Sequence, residues 1–349
     1  MNEHSFIFIS FIYMALYMEA LMKVLITGAF GNVGRSAVTA VLENNDSVRI
    51  LEAPTRHNLA LSRTCAQGCE VLFGDVRDPE AAARAVHGVD AICHLAALIP
   101  PAADRNPELT WSVNVGGTQN LINAALKEPK PPRFILASSI SIYGDRVRDF
   151  WIRTTDQLKA NDDDEYGKTK IEIERLLRGS GLPFVILRLS YIVWKKKLQC
   201  DPIMFRMPPA TKLEVCHTED TGRAFANAVH ADNALGRTFN IGGGPSCRTT
   251  YRDYLDRMFG LFGLKNSRAL PDSVFAKGGF HCGWYADSDE AESVLHFQRK
   301  TIEDYYSEVK QETAARRFFA RLVRPLALSG LKSASPYWVH GGRKTALQS

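Results

Sequence analysis

The sequence predicts an α/β protein built on a Rossmann-type doubly wound parallel sheet, with a smaller C-terminal substrate-binding region. Three observations carry this. Short, near-continuous apolar runs alternate with helix-like ones from Lys23 onward, the pattern of strands buried on both faces. The first of these strands opens into a glycine-rich turn, GAFGNVG, and the second ends on an acid, Glu52. The composition is globular: 349 residues with 45% hydrophobic and 23% charged, which excludes disordered and fibrous chains.

Taken in order, KVLITG from Lys23 is the first strand, a helix spans Val33 to Asn44, SVRILEA is the second strand and VLFGD the third. A helix over Pro79 to Val86 and the strand DAICHLAA follow. Next come a helix around Gly117 to Leu126, the strand RFILASS, a helix around Tyr166 to Leu177 and the strand PFVILRLS. Beyond Leu189 the alternation weakens into short elements punctuated by Pro202, Pro208, Pro209 and Gly242 to Gly244, which predicts a substrate-facing region assembled from several segments. The expected organisation is an apolar extension over 1–21, a dinucleotide-binding domain over 22–190, a substrate-binding region over 191–312 that returns to the sheet near 215–242, and a tail over 313–349.

The formal net charge of +5 is localised. From Thr313 onward there are seven basic residues and no acidic ones, so the remainder is net −2 and no nucleic-acid partner is expected. In that tail Phe318, Phe319, Leu322, Val323 and Leu326 recur at helical spacing among Arg317, Arg321 and Arg324. The favoured reading is a terminal helix packed on the body or on a second subunit; the other is a basic amphipathic helix lying on an anionic membrane surface. At the other end, Phe6 to Met18 is apolar but short of the roughly 20 residues that span a bilayer. Glu3 and His4 stand where a secretory signal carries basic residues. A dispensable start is favoured over a surface anchor or packing helix, and both over a signal. The seven cysteines, Cys65, Cys69, Cys93, Cys200, Cys216, Cys247 and Cys282, form no CxxC pair. Cys65 and Cys69 could share a helical face but lack a second pair, so no metal site and no disulfide framework are expected; reduced thiols fit a cytoplasmic protein.

The glycine-rich turn has the physical makings of a dinucleotide site. Gly28 makes the tight turn, Gly31 lets backbone approach a pyrophosphate, Gly34 allows close helix packing, and the helix N-terminus faces the anion. Phe30, Asn32 and Val33 are assigned to the same turn. Glu52, 18 residues after Gly34, can accept from both adenosine ribose hydroxyls and repel a 2′-phosphate, which favours NAD over NADP; Arg49 and Arg56 nearby pull the other way.

At this point the chain resembles a known family. TGAFGNVG, Thr27 to Gly34, has the TGxxGxxG spacing of the extended short-chain dehydrogenase/reductases, especially the NAD-dependent epimerase/dehydratase family. GDVRD, with Asp75 and Val76, matches the segment that contacts adenine there. HLAA, with Leu95, Ala96 and Ala97, matches the segment beside the cofactor, and NVGGTQNL matches at Asn114, Gly117, Thr118 and Asn120. The resemblance spans about Lys23 to Tyr306, and it implies a homodimer through a four-helix interface that includes the helix of Tyr166.

Tyr166 and Lys170 in YGKTK are four residues apart, on one helical face, where the ammonium is expected to favour the phenolate so that the pair can exchange a proton with a substrate hydroxyl or carbonyl. Ser139, at a strand end, would hydrogen-bond the substrate oxygen. The resemblance adds that Lys170 holds the nicotinamide ribose, so Tyr166 and Lys170 also count as cofactor-binding. Asp162, Asp163, Asp164 and Glu165 read as a charge cluster at a helix N-terminus rather than as catalytic acids. Sugar 4,6-dehydratases of the family carry Thr-Asp-Glu where this chain has Ser139, Ile140 and Ser141, so dehydration, which needs an acid and a base there, is disfavoured. What is expected is an NAD-dependent epimerase or dehydrogenase/reductase acting on a small-molecule alcohol or ketone, a sugar derivative among the options. The alternative is a non-catalytic dinucleotide-binding sensor or scaffold. The spacing from Arg188 to Asp220 is short for a nucleotide-sugar enzyme. Lys195 to Lys197 read as a solvated loop before an anion site, His217 and Asp220 as structural, and Trp194 and Trp284 equally as pocket or core.

Overall fold

The computed structural model describes residues 21–196, 202–314, 317, 320 and 323–338. The apolar N-terminal stretch, Lys197, Phe318, Phe319 and Leu322 lie outside the described residues. Seven strands form one parallel sheet: β1 (Lys23–Thr27), β2 (Ser47–Glu52), β3 (Glu70–Phe73), β4 (Ala91–His94), β5 (Arg133–Ser139), β6 (Phe184–Leu189) and, much later, β9 (Arg237–Ile241). The order across the sheet is β3-β2-β1-β4-β5-β6-β9, with every neighbouring pair parallel. The strand order therefore reverses between β1 and β4, where an open α/β sheet leaves a crevice at its carboxyl edge.

Strand alternation explains the two cores. Val24 and Ile26 of β1 face helices α1 (Asn32–Glu43) and α7 (Thr218–His230), with Ala37, Val41, Phe225 and Val229 in the same cluster. Leu25 between them faces the other side, where α3 (Pro79–Val86), α5 (Gly117–Ala125) and α6 (Glu165–Arg178) contribute Ala82, Leu121, Ile173 and Leu177. A third cluster lies apart from the sheet. It packs α8 (Tyr251–Leu261) and α10 (Ile302–Glu312) against a three-stranded sheet of β7 (Tyr191–Val193), β8 (Lys212–His217) and β10 (Arg248–Thr250).

Two helical segments depart from the sequence reading. Helix α2 (Arg56–Cys65) has no fully buried residue, only Leu61 and Cys65 partly buried against the first core cluster, so periodicity has little to reveal; Thr55 caps it by accepting from the Asn58 amide. The helix expected from Gly117 starts ten residues earlier: α4 (Pro107–Trp111) runs through a π-helical turn over Ser112–Gly116 into α5. Cys65 ends α2 and Cys69 follows in the next turn, so the two share no helical face.

The described part of the tail packs on the body. In α11 (Arg324–Ala334), Ala327, Leu328 and Leu331 join the third cluster together with Trp338, and the Ser335 hydroxyl donates to the Val274 carbonyl at 2.6 Å. Val323 and Leu326 are exposed. Among the described residues no helix is long and apolar enough to cross a membrane.

Candidate active site

Two cavities open at the carboxyl edge of the sheet and meet at Tyr166. The first, about 540 Å³, is lined by the β1 turn (Gly28, Gly31, Asn32, Val33, Gly34), by Glu52, Asp75 and Val76, by Leu95, Ala96 and Ala97 after β4, and by Tyr166 and Lys170. The turn is shaped by its glycines. Gly28 has φ +72°, and a Cβ on Gly34 would lie 2.0 Å from the Gly28 carbonyl oxygen, so α1 can start this close to β1 only without a side chain there. Gly31 caps α1 with no side-chain acceptor, and the first turn carries no acid, so the leading amides remain open to an anion.

At the far end of this cavity Glu52 is positioned by two donors, the Phe30 amide at 2.9 Å and Asn58 Nδ2 at 3.0 Å. Burial pushes its pKa up, partly offset by the Phe30 amide. Arg49 is turned away. Its guanidinium donates to Glu70 and to the carbonyls of Ala85 and His87, and neither it nor Arg56 lines the cavity. The cationic rivals to Glu52 are thus absent from the lining, and a cradle of glycine backbone, open amides and a terminal carboxylate fits a dinucleotide with an unphosphorylated ribose.

The sheet edge is locked by a chain of hydrogen bonds that sequence reading did not foresee. Thr118 Oγ1 donates to the Asn114 carbonyl, so His94 Nε2 must donate to Thr118 (2.8 Å), and His94 Nδ1 accepts from Thr27 Oγ1 (2.7 Å), which itself accepts from the Ala96 amide. Burial, reinforced by the Lys170 charge, pushes the His94 pKa down to about 3, in keeping with this neutral tautomer. The chain ties the β1 turn to the end of β4 and to the helix start beyond it.

The catalytic candidates converge. Lys170 is buried, its Nζ donating to the Ala137 carbonyl at 2.7 Å and lying 5.5 Å from the Tyr166 ring centroid. Burial lowers its pKa to about 8. The Tyr166 hydroxyl is hydrogen-bonded with Ser139, whose Oγ also accepts from the amide (3.2 Å) and hydroxyl (3.1 Å) of Ser141. The expectation of a phenolate favoured by Lys170 is not met. Burial pushes the Tyr166 pKa up, the Ser139 bond only partly opposes it, and the nearby Asp164 adds to the rise. The lysine head is engaged with a carbonyl, and the resting residue is a neutral phenol.

The second cavity, about 630 Å³, lies on the other side of Tyr166. Ser139, Ile140, Ser141 and Tyr166 form its floor; Pro100, Asp104, Asp162, Asp163, Asp164, Tyr191, Ile203, Arg206, Phe280, His281 and Tyr337 are among its walls.

Comparison with known proteins fits this arrangement. The sequence profile of the NAD dependent epimerase/dehydratase family matches residues 24–193. That segment is similar to this family. Among characterised relatives, a 3 beta-hydroxysteroid dehydrogenase/Delta 5-->4-isomerase of Mycobacterium tuberculosis is 35% identical over 165 residues, 44% of this chain and 42% of the relative. An L-arabinose 1-dehydrogenase (NAD(P)(+)) of Haloferax volcanii is 35% identical over 108 residues, 30% of this chain and 36% of the relative. The chain thus spans about two fifths of the length of the first of these. Solved structures share the fold. A UDP-glucose 4-epimerase of Thermotoga maritima, determined with UDP-glucose, superposes with TM-score 0.68 at 21% identity, over 85% of this chain and 100% of that one. A dTDP-glucose 4,6-dehydratase double mutant from Streptomyces venezuelae, with NAD bound, gives 0.70 at 22%, over 85% and 98%.

The folded chain brings nearly all the residues proposed from sequence to one place, with informative exceptions. Phe30 and Asn114 line neither cavity. Phe30 is a core side chain whose amide orients Glu52. Asn114 accepts from the Leu98 amide at 2.8 Å and donates to the Leu98 carbonyl and Thr169 Oγ1, pinning the loop after β4 to α6. Asn120 likewise donates to the carbonyls of Val76 and Arg77, and the Arg77 hydrogen bonds lower the pKa of Asp75, in the lining. Trp194 lines the first cavity, whereas Trp284 meets Phe150 and Trp151 edge to face. Lys195 and Lys196 are exposed and line neither cavity. His217 caps α7, and Asp220 accepts from the Arg299 and Lys300 amides, so both hold the fold. One group with ligand-like spacing occurs among the described residues, His217, Glu219 and Glu308, but Lys300 bridges its two carboxylates and supplies their counter-charge.

Proposed function

We propose that this chain is an NAD-dependent oxidoreductase that moves hydride at a secondary alcohol or ketone, working as a dehydrogenase/reductase or as an epimerase. The observation that carries this is the position of Tyr166, shared by a dinucleotide-shaped cavity and a second cavity, with Ser139 and Lys170 against it. NAD, when bound, supplies the hydride acceptor and a cationic ring. Gly28 to Gly34 would hold its pyrophosphate, Glu52 its adenosine ribose, and Lys170 its nicotinamide ribose. Ser139 orients the substrate oxygen and Tyr166 carries the proton. In the oxidation direction the phenol first loses its proton and then takes the one from the substrate hydroxyl; in reduction the neutral phenol donates directly to the carbonyl oxygen.

Dehydration finds no support in these side chains. Ile140 is a buried hydrocarbon, and the Ser141 hydroxyl is engaged with Ser139, so neither can act as the acid or base that elimination requires. The mycobacterial relative is a dehydrogenase/isomerase and the Thermotoga neighbour an epimerase, so both hydride cycles have precedents among similar proteins.

Incubating the protein with NAD and a panel of secondary alcohols separates the cycles. A dehydrogenase accumulates reduced cofactor; an epimerase inverts the carbinol centre, followed by NMR, with no net reduction. Binding of NAD with neither outcome on any alcohol would contradict the enzyme reading and leave the sensor or scaffold alternative.

A further inference from the structure

Ser141 meets Ser139 twice. Ser139 ends β5 and opens a 3₁₀ turn over Ile140–Tyr143; its backbone is extended, at φ −147° and ψ 151°, and its side chain turns back over the leading amides as a capping serine does. Its Oγ accepts from the Ser141 amide at 3.2 Å and also from the Ser141 hydroxyl at 3.1 Å. The amide bond is what a cap requires. The hydroxyl is a second donor on the same oxygen.

A serine hydroxyl has two lone pairs and one proton. Both lone pairs of Ser139 are taken by Ser141, so Ser139 has only its proton to offer to Tyr166 or to a substrate oxygen beside it. Tyr166 therefore cannot spend its own proton on Ser139. The phenol accepts from the serine and keeps its O–H for the second cavity, which both residues line. The effect of Ser139 on Tyr166 has the matching sign: the bond opposes the upward push of burial, as a donor to a phenolate does. A hydroxyl that already accepts two bonds is also the stronger donor.

We propose that Ser141 is a positioning residue of the reaction: by filling both acceptor sites of Ser139 it makes Ser139 a fixed donor, so that the Tyr166 proton is exchanged with the substrate oxygen alone. In carbonyl reduction the Tyr166 O–H breaks as its proton passes to the carbonyl oxygen and the carbon receives hydride from the reduced dinucleotide, while Ser139 donates to the oxygen left charged. Oxidation reverses each transfer, with the alcohol proton going to the phenolate and the hydride to NAD. This rests on the reading that Tyr166 and Ser139 act on the reacting oxygen; it adds the residue that sets the direction of their hydrogen bonds.

Two measurements test it. The first needs no substrate: neutron diffraction from crystals of the full chain exchanged into heavy water. The Ser141 deuterium should point at Ser139 and the Ser139 deuterium at the Tyr166 oxygen. A Tyr166 deuterium directed at Ser139, or a Ser141 deuterium turned away from it, would overturn the proposal. The second is the pH profile of alcohol oxidation with NAD. Ser141→Ala keeps the amide cap but frees a lone pair on Ser139, to which the neutral phenol can donate and the phenolate cannot. The acid limb should therefore move up by about half a pH unit or more, with a rate about threefold to tenfold lower beneath it and NAD affinity unchanged. Ser141→Thr, which retains the hydroxyl, should bring the limb back to within about 0.2 unit of wild type. The other ionisable groups around the two cavities are common to all three proteins: Lys170 and Asp164 near Tyr166 on its own helix or its cap, and Asp104, Asp162, Asp163, Arg206 and His281 in the walls. A hydroxyl with only a structural role would lower stability or rate alike at every pH. A limb unmoved by Ser141→Ala, or moved equally by Ser141→Thr, would overturn the proposal. The deuterium positions expected here in a wild type without turnover count against hydride transfer alone, whereas turnover with an unmoved limb counts against the role of Ser141 alone.

Discussion

Tyr166→Phe is expected to lower turnover about a thousandfold or more, while NAD affinity changes by less than about threefold. The phenyl ring preserves the packing of α6 and the contact with Lys170, so what disappears is the hydroxyl that stands between the two cavities beside Ser139. Steady-state kinetics on any alcohol the wild type oxidises, with NAD titrated separately, check both halves. The wild-type pH profile carries a related signature. Burial holds the Tyr166 proton on, so alcohol oxidation, which must begin from the phenolate, should accelerate as pH rises; carbonyl reduction, which begins from the phenol, should not. Full activity in the phenylalanine variant would remove Tyr166 from the mechanism.

Arg188→Met is expected to cost about 3–5 kcal/mol of folding stability, measured by equilibrium denaturation near neutral pH. Arg188, at the end of β6, makes two hydrogen bonds to Glu174, Nε to Oε1 at 2.9 Å and Nη2 to Oε2 at 2.7 Å, and donates to the Tyr143 hydroxyl and the Thr154 carbonyl. Both side chains of the ion pair are almost fully buried. Burial alone would raise the Glu174 pKa, and the Arg188 bonds and charge outweigh it, leaving the carboxylate below its usual range. Without the guanidinium, Glu174 keeps Ser138 at 2.6 Å and a longer contact from the half-exposed Arg178, too little to support a buried charge. The sign of the pH dependence follows. In the variant the carboxyl rises to a higher pKa and can protonate, so the deficit should shrink as pH falls toward the carboxylate range. Pairing Arg188→Met with Glu174→Leu removes both charges and should restore much of the loss.

The parts of this protein legible in the sequence are those whose physics is local. Strands β1, β2 and β5 announce themselves as apolar runs because both of their faces are covered, and the turn after β1 is fixed by a glycine triplet within a single strand-turn-helix unit. Tyr166 and Lys170 share a helix turn and needed no tertiary knowledge to pair. Helix α2 carried little such signal, because only Leu61 and Cys65 of its ten residues pack, partly buried, against the core. The early start of α4 was hidden by the π-helical turn, which breaks the 3.6 period just before Gly117.

The second cavity was illegible for a different reason. Its walls come from segments around Asp104, Ser139, Asp164, Arg206, His281 and Tyr337, which only the folded chain brings together. Asp164 in particular reads along the sequence as one acid in a run at a helix start. That reading is right for Oδ1, which caps α6, and silent about the residue's place in the cavity wall. The phenolate expected at Tyr166 failed similarly, since spacing places the lysine nearby but says nothing of the burial that holds the phenol proton on.

The central claim, that hydride passes between the two cavities at Tyr166, is tested most directly by a crystal structure with NAD bound. The account predicts the pyrophosphate over the Gly28 to Gly34 turn, the adenosine ribose on Glu52, and the nicotinamide at Tyr166 and Lys170 with one face toward the second cavity. A dinucleotide bound with its nicotinamide away from Tyr166, or lodged in the second cavity, would contradict it.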